Sequence, residues 1–283
     1  MTPRTATVLK TNITRNLRID LKYKLNLVTD LAWLAIDVVT FLFLGQMVAA
    51  TDIPGGFRFD GFLKEFLVVG VIYWTIFNRA YKDGVTVIPN EAARGTLGFI
   101  ITNDVSLSDL ITGQFASSTI KTFITLVVFV LPVVFILSFL TILQPFRITL
   151  DVLIFCLLIF TLSWIFILSI TLIASTLNVI FKKSGPLTFL LSYLLTLTSG
   201  YFFPLEVLRT FGLGMIEEIL YFIPTTGMLY NLRSMIILGI VPPNMIFLLV
   251  YYFLMTILSF VTAVLVMRRI TRKAAYSGTL EFY

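Results

Sequence analysis

The chain has 283 residues, 58% of them hydrophobic, and a mean hydropathy of +0.97. Only 13% are charged, against about 25% in a soluble domain, so a water-soluble globule is excluded and a polytopic membrane protein is expected. There is no histidine and one cysteine, Cys156; histidine triads, histidine metal sites, an internal disulfide and a cysteine-cluster metal centre are excluded.

Residues 1–24 are polar and basic. Leu9, Ile13, Leu17 and Leu21 recur every four residues, while Lys10, Arg15, Arg18 and Lys22 lie off that stripe. This is the pattern of an amphipathic helix lying in the membrane interface; the same helix packed on a partner is the alternative. Six apolar segments follow, at 27–48, 62–81, 115–139, 152–177, 187–203 and 245–267. A span needs about 20 such residues. The second is the weakest, with an uncharged core of only 66–77 and with Lys64, Glu65 and Arg79 near its ends. The net charge of +6 is read as an orientation signal, not as a nucleic-acid signal. With the N-terminus inside, the inner segments hold 16 of the 21 basic residues. The outer ones hold Arg58, Lys64, Arg147, Arg209 and Arg233. That asymmetry predicts six spans with both termini cytoplasmic.

Within the first span, Asp37 would cost about 2.5–3.5 kcal/mol on insertion scales if it faced lipid, so it is expected to face protein or water. It either lines a translocation path or is hydrogen-bonded to a neighbouring helix. Between the second and third spans lies the segment 91–113. Thr96 is placed to cap a short helix whose Leu97, Ile100 and Ile101 share a face. Ser106 with Asp109 reads as a capping box for the next helix. The short helix is expected to seek a groove for its apolar face, on a partner or on the bilayer. Pro132 predicts a kink in the third span. Ser192, Thr196, Thr198, Ser199 and Gly200 give the fifth span a small, polar strip, suited to close helix packing or to a polar path.

The stretch 204–243 is apolar yet carries Glu206, Arg209, Glu217, Glu218 and Arg233. It is interrupted at Pro204, Gly212, Gly214, Pro224 and Gly227. A pair of short helices that dip into the outer leaflet and return, shielded by protein, is expected. No linker or internal repeat divides the chain, so residues 1–283 read as one all-α transmembrane domain. No phosphate-cradling loop, dinucleotide fingerprint or nucleophile elbow is present. The chain is therefore expected to hold no catalytic residues, cofactor or metal of its own.

The run from Glu91 through Arg94, Gly95, Thr96 and Leu97, followed by Asp104 to Gly113, resembles the membrane subunit of a type-2 ABC exporter. So does the run from Ser199 through Pro204 and Glu206, followed by Glu217, Glu218, Ile223, Pro224 and Arg233. The resemblance covers nearly the whole chain, through the order and spacing of motifs that are weak singly. It departs at Gly98, where the family often has an acidic residue, and at Asp104, where it often has proline. It implies that the segment around Gly95 to Thr102 is a coupling helix resting on a separate ATPase subunit, with Glu91, Arg94, Gly95, Thr96, Leu97, Ile100 and Ile101 at or behind the contact. It further implies two copies of the chain, ATP and magnesium held by the partner, and export of a drug, lipid or glycan across the cell membrane along the seam between copies. Asp37, Ser192, Thr196 and Ser199 are candidates for that path. Pro204, Glu206, Glu217, Glu218, Pro224 and Arg233 mark the re-entrant region. The competing readings are a carrier driven by an ion gradient through Asp37, and a membrane scaffold without transport.

Overall fold

A helix satisfies its own backbone, so long apolar segments without breakers fold that way where water is scarce. The computed structural model describes residues 3–22, 24–49, 61–103, 105–139, 143, 146, 148–181 and 185–276, and among them there are helices and no strand. The N-terminal part comprises α1 (Pro3–Lys22), α2 (Lys24–Ala49), α3 (Leu63–Ala93) and α4 (Leu97–Thr102). Next come α5 (Leu107–Thr125), a π-helical turn (Leu126–Val130) and α6 (Leu131–Phe139), which form one continuous rod. They are followed by α7 (Leu150–Phe181), α8 (Gly185–Thr198), the short α9 (Val207–Thr210) and α10 (Gly214–Tyr221), then α11 (Pro224–Leu238) and α12 (Met245–Tyr276).

Among the described residues, three helices are long and apolar enough to cross a membrane: Leu107–Phe139, Leu150–Phe181 and Met245–Lys273. Their outward faces carry Phe135, Leu157, Phe247 and Leu258, all strongly exposed. Such faces are stable against hydrocarbon and costly against water. Shorter apolar helical stretches occur at Ala35–Leu44, inside α2, and at Gly185–Thr198.

The segment with the weakest hydropathy is the centre of the molecule. α3 packs against α2, α5, α7, α8 and α11. It buries Phe66, Tyr73, Trp74 and Phe77 among them. A helix surrounded by protein needs polar partners more than an unbroken apolar run. Tyr73 donates to Ser163 Oγ at 2.8 Å and Tyr81 to the Thr188 carbonyl at 3.1 Å. Asp83 accepts from Ser118 at 2.6 Å.

α3 also runs past its expected end at residue 81 and contains Pro89. Proline has no N–H, so the carbonyl four residues back loses its helical donor. That carbonyl belongs to Val85, and Asn178 Nδ2 from α7 donates to it at 2.7 Å. A π turn, Leu126–Val130, lies just ahead of Pro132 and accommodates the helical bond that proline cannot make.

Three expectations are revised. The fifth apolar segment ends as a helix at Thr198, not 203, because Gly200 adopts φ +67° and turns the chain. The segment 204–243 holds three helices, α9 to α11, instead of a pair. Gly227 lies within α11 and does not end a helix. Arg58, Asp104, Arg147, Lys182 and Lys183 lie outside the described residues.

Candidate functional site

The polar residues with structure-spanning roles gather at an elbow, where α3 hands over to α4 and α5. α3 stops at Ala93, and Gly95 turns the chain with φ +71°. Only a residue without Cβ adopts that angle cheaply. Thr96 stands at the cap position of α4, but its hydroxyl makes no cap bond. It donates instead to the Glu91 carboxylate and, at 3.1 Å, to the Glu91 carbonyl. Ser106 does cap α5 as expected, accepting from the Asp109 amide at 3.1 Å.

Glu91 is 4% exposed and is the hub. Arg15 of α1 donates to it at 2.9 Å, while Arg94 stands at 4.0 Å with an exposed side chain. Arg15 also donates to Asn16 Oδ1 at 3.3 Å, and Asn16 donates to Gln114 Oε1 of α5 at 2.7 Å. One chain of polar contacts therefore ties α1 to the end of α3, the start of α4 and the first turns of α5. Glu91 is shielded from water while the Arg15 side chain is 40% exposed, so the pair is charge-assisted but partly screened.

The apolar face of α4 is covered by the chain itself. Leu97 is buried at 3% exposure, and Ile100 and Ile101 pack half-buried against the core. The face left open carries Gly98 and Phe99, and Phe99 is 74% exposed. The expectation that Leu97, Ile100 and Ile101 seek an outside groove is revised accordingly: tertiary packing claims them, and Phe99 is the residue presented outward.

A second concavity, of about 460 Å³, runs between α2, α3 and α8. Asp37, Ser192 and Thr196 line it together, with Trp33, Arg79 and Lys82. Ser192 donates to Asn78 Oδ1 at 2.9 Å. Ser199 is not part of the lining; it is buried and donates to the Thr196 carbonyl. The groove is thus a mixed surface, with the carboxylates of Asp37 and Asp83 and the cations of Arg79 and Lys82 set among buried and exposed aromatic rings.

Compared with the sequence models of known protein families, the chain matches none, and no characterised protein matches it either.

The 204–243 region contributes a third polar assembly. Arg233 is 2% exposed and donates to the carbonyls of Phe66 (3.0 Å), Gly200 (2.8 Å) and Tyr201 (3.1 Å). Its guanidinium lies 3.6 Å from the Phe66 ring centroid, a cation–π geometry. Glu206 adds an attractive charge nearby. Buried Glu217 pairs with exposed Arg209, whereas Glu218 is exposed. Pro204 is buried, and Pro224 occupies the first turn of α11, where its missing N–H costs nothing. These residues bind the chain to itself.

Sequence reading identified Glu91 and Thr96 but missed Arg15, Asn16 and Gln114. Arg15 fell among the solvated basic residues of α1, and nothing in its local pattern marks a partner 76 positions away. Among the described residues, no group of three or more metal-ligating side chains comes together.

Proposed function

We propose that this chain is the membrane subunit of an ATP-driven exporter of the type-2 ABC kind, working as two copies above a separate ATPase. Six spans are assigned to α2, α3, the α5–α6 rod, α7, α8 and α12. α1 lies in the cytoplasmic interface, and α9 to α11 fold back from the outer side. The distribution of 16 of 21 basic residues on the inner side supports this orientation in the plasma membrane, with both termini cytoplasmic.

The observation that carries the reading is the elbow. Phe99 is presented on a six-residue helix whose base is locked into α1, α3 and α5. A rigid knob braced in this way transmits a push; a mobile loop would absorb it. ATP and magnesium belong to the partner, whose closure would move α4 and tilt α3 and α5 with it. The groove lined by Asp37, Ser192 and Thr196 would then form half of the path at the seam between copies. Its aromatic and charged lining suits an amphipathic cargo such as a drug, lipid or glycan carrier.

Co-reconstitution with a P-loop ATPase that co-purifies with the chain tests the proposal. Transport is expected to require both proteins and ATP. Phe99→Ala is expected to lower ATP-driven transport at least tenfold while the protein still inserts. Uphill transport by the chain alone, abolished by Asp37→Asn, would establish the ion-driven carrier instead.

A further inference from the structure

Another concavity lies on the face formed by α1, α5, α7 and α12. It measures about 570 Å³, within the range of about 300–1,000 Å³ typical of ligand sites. Ile13, Ala116, Trp164 and Phe260 are among its walls, and the lining is apolar apart from Thr112 and Thr256.

Its depth can be read from cross-helix contacts. Ser118 of α5 meets Asp83 of α3, and Asn178 of α7 meets Val85. Thr176 of α7 meets Met267 of α12. The start of α5 and the ends of α3, α7 and α12 therefore share the level at which α1 crosses. Its α12 wall runs from Val261 back to Phe253, away from the level of Met267. The groove runs from beneath α1 toward the middle of the helical layer, about 12 Å at 1.5 Å of helix per residue, room for part of one acyl chain.

Beyond its α1 end, basic residues follow on the helices that wall it. Lys10 lies one turn from Ile13 on α1, at the edge of its apolar stripe. Arg268 lies two turns beyond Val261 on the same face of α12. Both are exposed, and among the described residues neither has a carboxylate partner. Asp109, one turn before Thr112, supplies one opposing charge. Apolar at depth and cationic at the rim is the arrangement that holds an anionic lipid, since the basic residues meet the headgroup and the walls meet the tail. A second copy of the chain is a poorer occupant. About a twofold axis it would bring its own Lys10 and Arg268 toward these cations.

We propose that this groove is a binding site for one anionic phospholipid, its acyl chain beneath α1 and its headgroup between Lys10 and Arg268. The site is independent of the ATPase partner and of the groove lined by Asp37.

The test uses the full chain with Trp33→Phe and Trp74→Phe, leaving Trp164 as the only indole. It is placed in phosphatidylcholine vesicles that carry a small fraction of either phosphatidylglycerol or phosphatidylcholine brominated in the acyl chain. Brominated phosphatidylglycerol is expected to quench Trp164 several-fold more than brominated phosphatidylcholine. The double variant Lys10→Gln/Arg268→Gln is expected to abolish that preference, and Ala116→Phe to reduce quenching by both lipids. Equal quenching by the two lipids, or a preference that survives the charge removal, overturns the proposal. So does disulfide linkage of two Ile257→Cys chains with Trp164 unquenched, which would show a second copy in the groove. Should the tryptophan variants fail to fold, the native chain is irradiated with diazirine-acyl phosphatidylglycerol. Adducts concentrated between Phe253 and Val261 support the site; adducts spread evenly over the apolar surface overturn it.

Discussion

Pro89 removes one donor near the end of α3, and Asn178 supplies another from α7. Asn178→Leu is expected to cost about 1–3 kcal/mol, the penalty of a buried carbonyl left unpaired. Pro89→Ala restores the helical donor, so the loss should shrink when the two changes are combined. A double-mutant cycle by thermal unfolding in detergent measures the coupling. Additive effects would mean that the two residues do not share the Val85 carbonyl. Arg233 and Gly70 offer a second pair. A Cβ on Gly70 would stand 2.0 Å from Arg233 Nη2, so Gly70→Ala displaces the guanidinium. The expected cost is about 1–3 kcal/mol of overpacking. Arg233→Met strips donors from the Gly200 and Tyr201 carbonyls. Both changes undo the same contacts, so the pair of substitutions should cost little more than the worse of them.

The elbow is where individual elements acquire a mechanical character. α4 is too short to be stable alone; it stands because Leu97 is buried and because Thr96 ties its start back to Glu91 of α3. Glu91→Ala is expected to free Arg15 and Thr96 together, loosening α1 and α4 at once. Hydrogen exchange should then rise in both segments and not in α7 or α12. Phe99→Ala touches none of these contacts, so its unfolding temperature should match the parent while coupling to an ATPase falls. Leu97→Asp, by contrast, is expected to disturb folding itself. The capping signal at Ser106 announced the start of α5 in the sequence, whereas Thr96, read as a cap for α4, bonds to Glu91 instead. The elbow's attachment to α1 was not legible, because Arg15 and Gln114 meet Glu91 and Asn16 only after three helices have packed.

At the scale of the whole molecule, the native chain suits a topology experiment, since Cys156 is its single cysteine. In a Cys156→Ser background, a cysteine at Thr96 is expected to react with impermeant reagents only from the cytoplasmic side. One at Gly212 should react only from outside. The same sidedness for both would remove the six-span arrangement. It would leave the three long apolar helices as the certain crossings.

Composition alone dictated an all-helical, membrane-type chain, because 58% hydrophobic residues with 13% charge cannot be hidden from water in a body of this size. The runs around residues 115–139, 152–177 and 245–267 announced their helices for the same local reason: consecutive apolar side chains satisfy hydrocarbon, and the helix satisfies its own backbone. Packing decided what local pattern could not. It placed the least apolar segment, α3, at the centre, where protein surrounds it and polar side chains find partners. It turned Leu97, Ile100 and Ile101 inward, left Phe99 outside, and set Arg15 against Glu91. Such pairings depend on which helices lie side by side, and adjacency in space is not written in spacing along the chain.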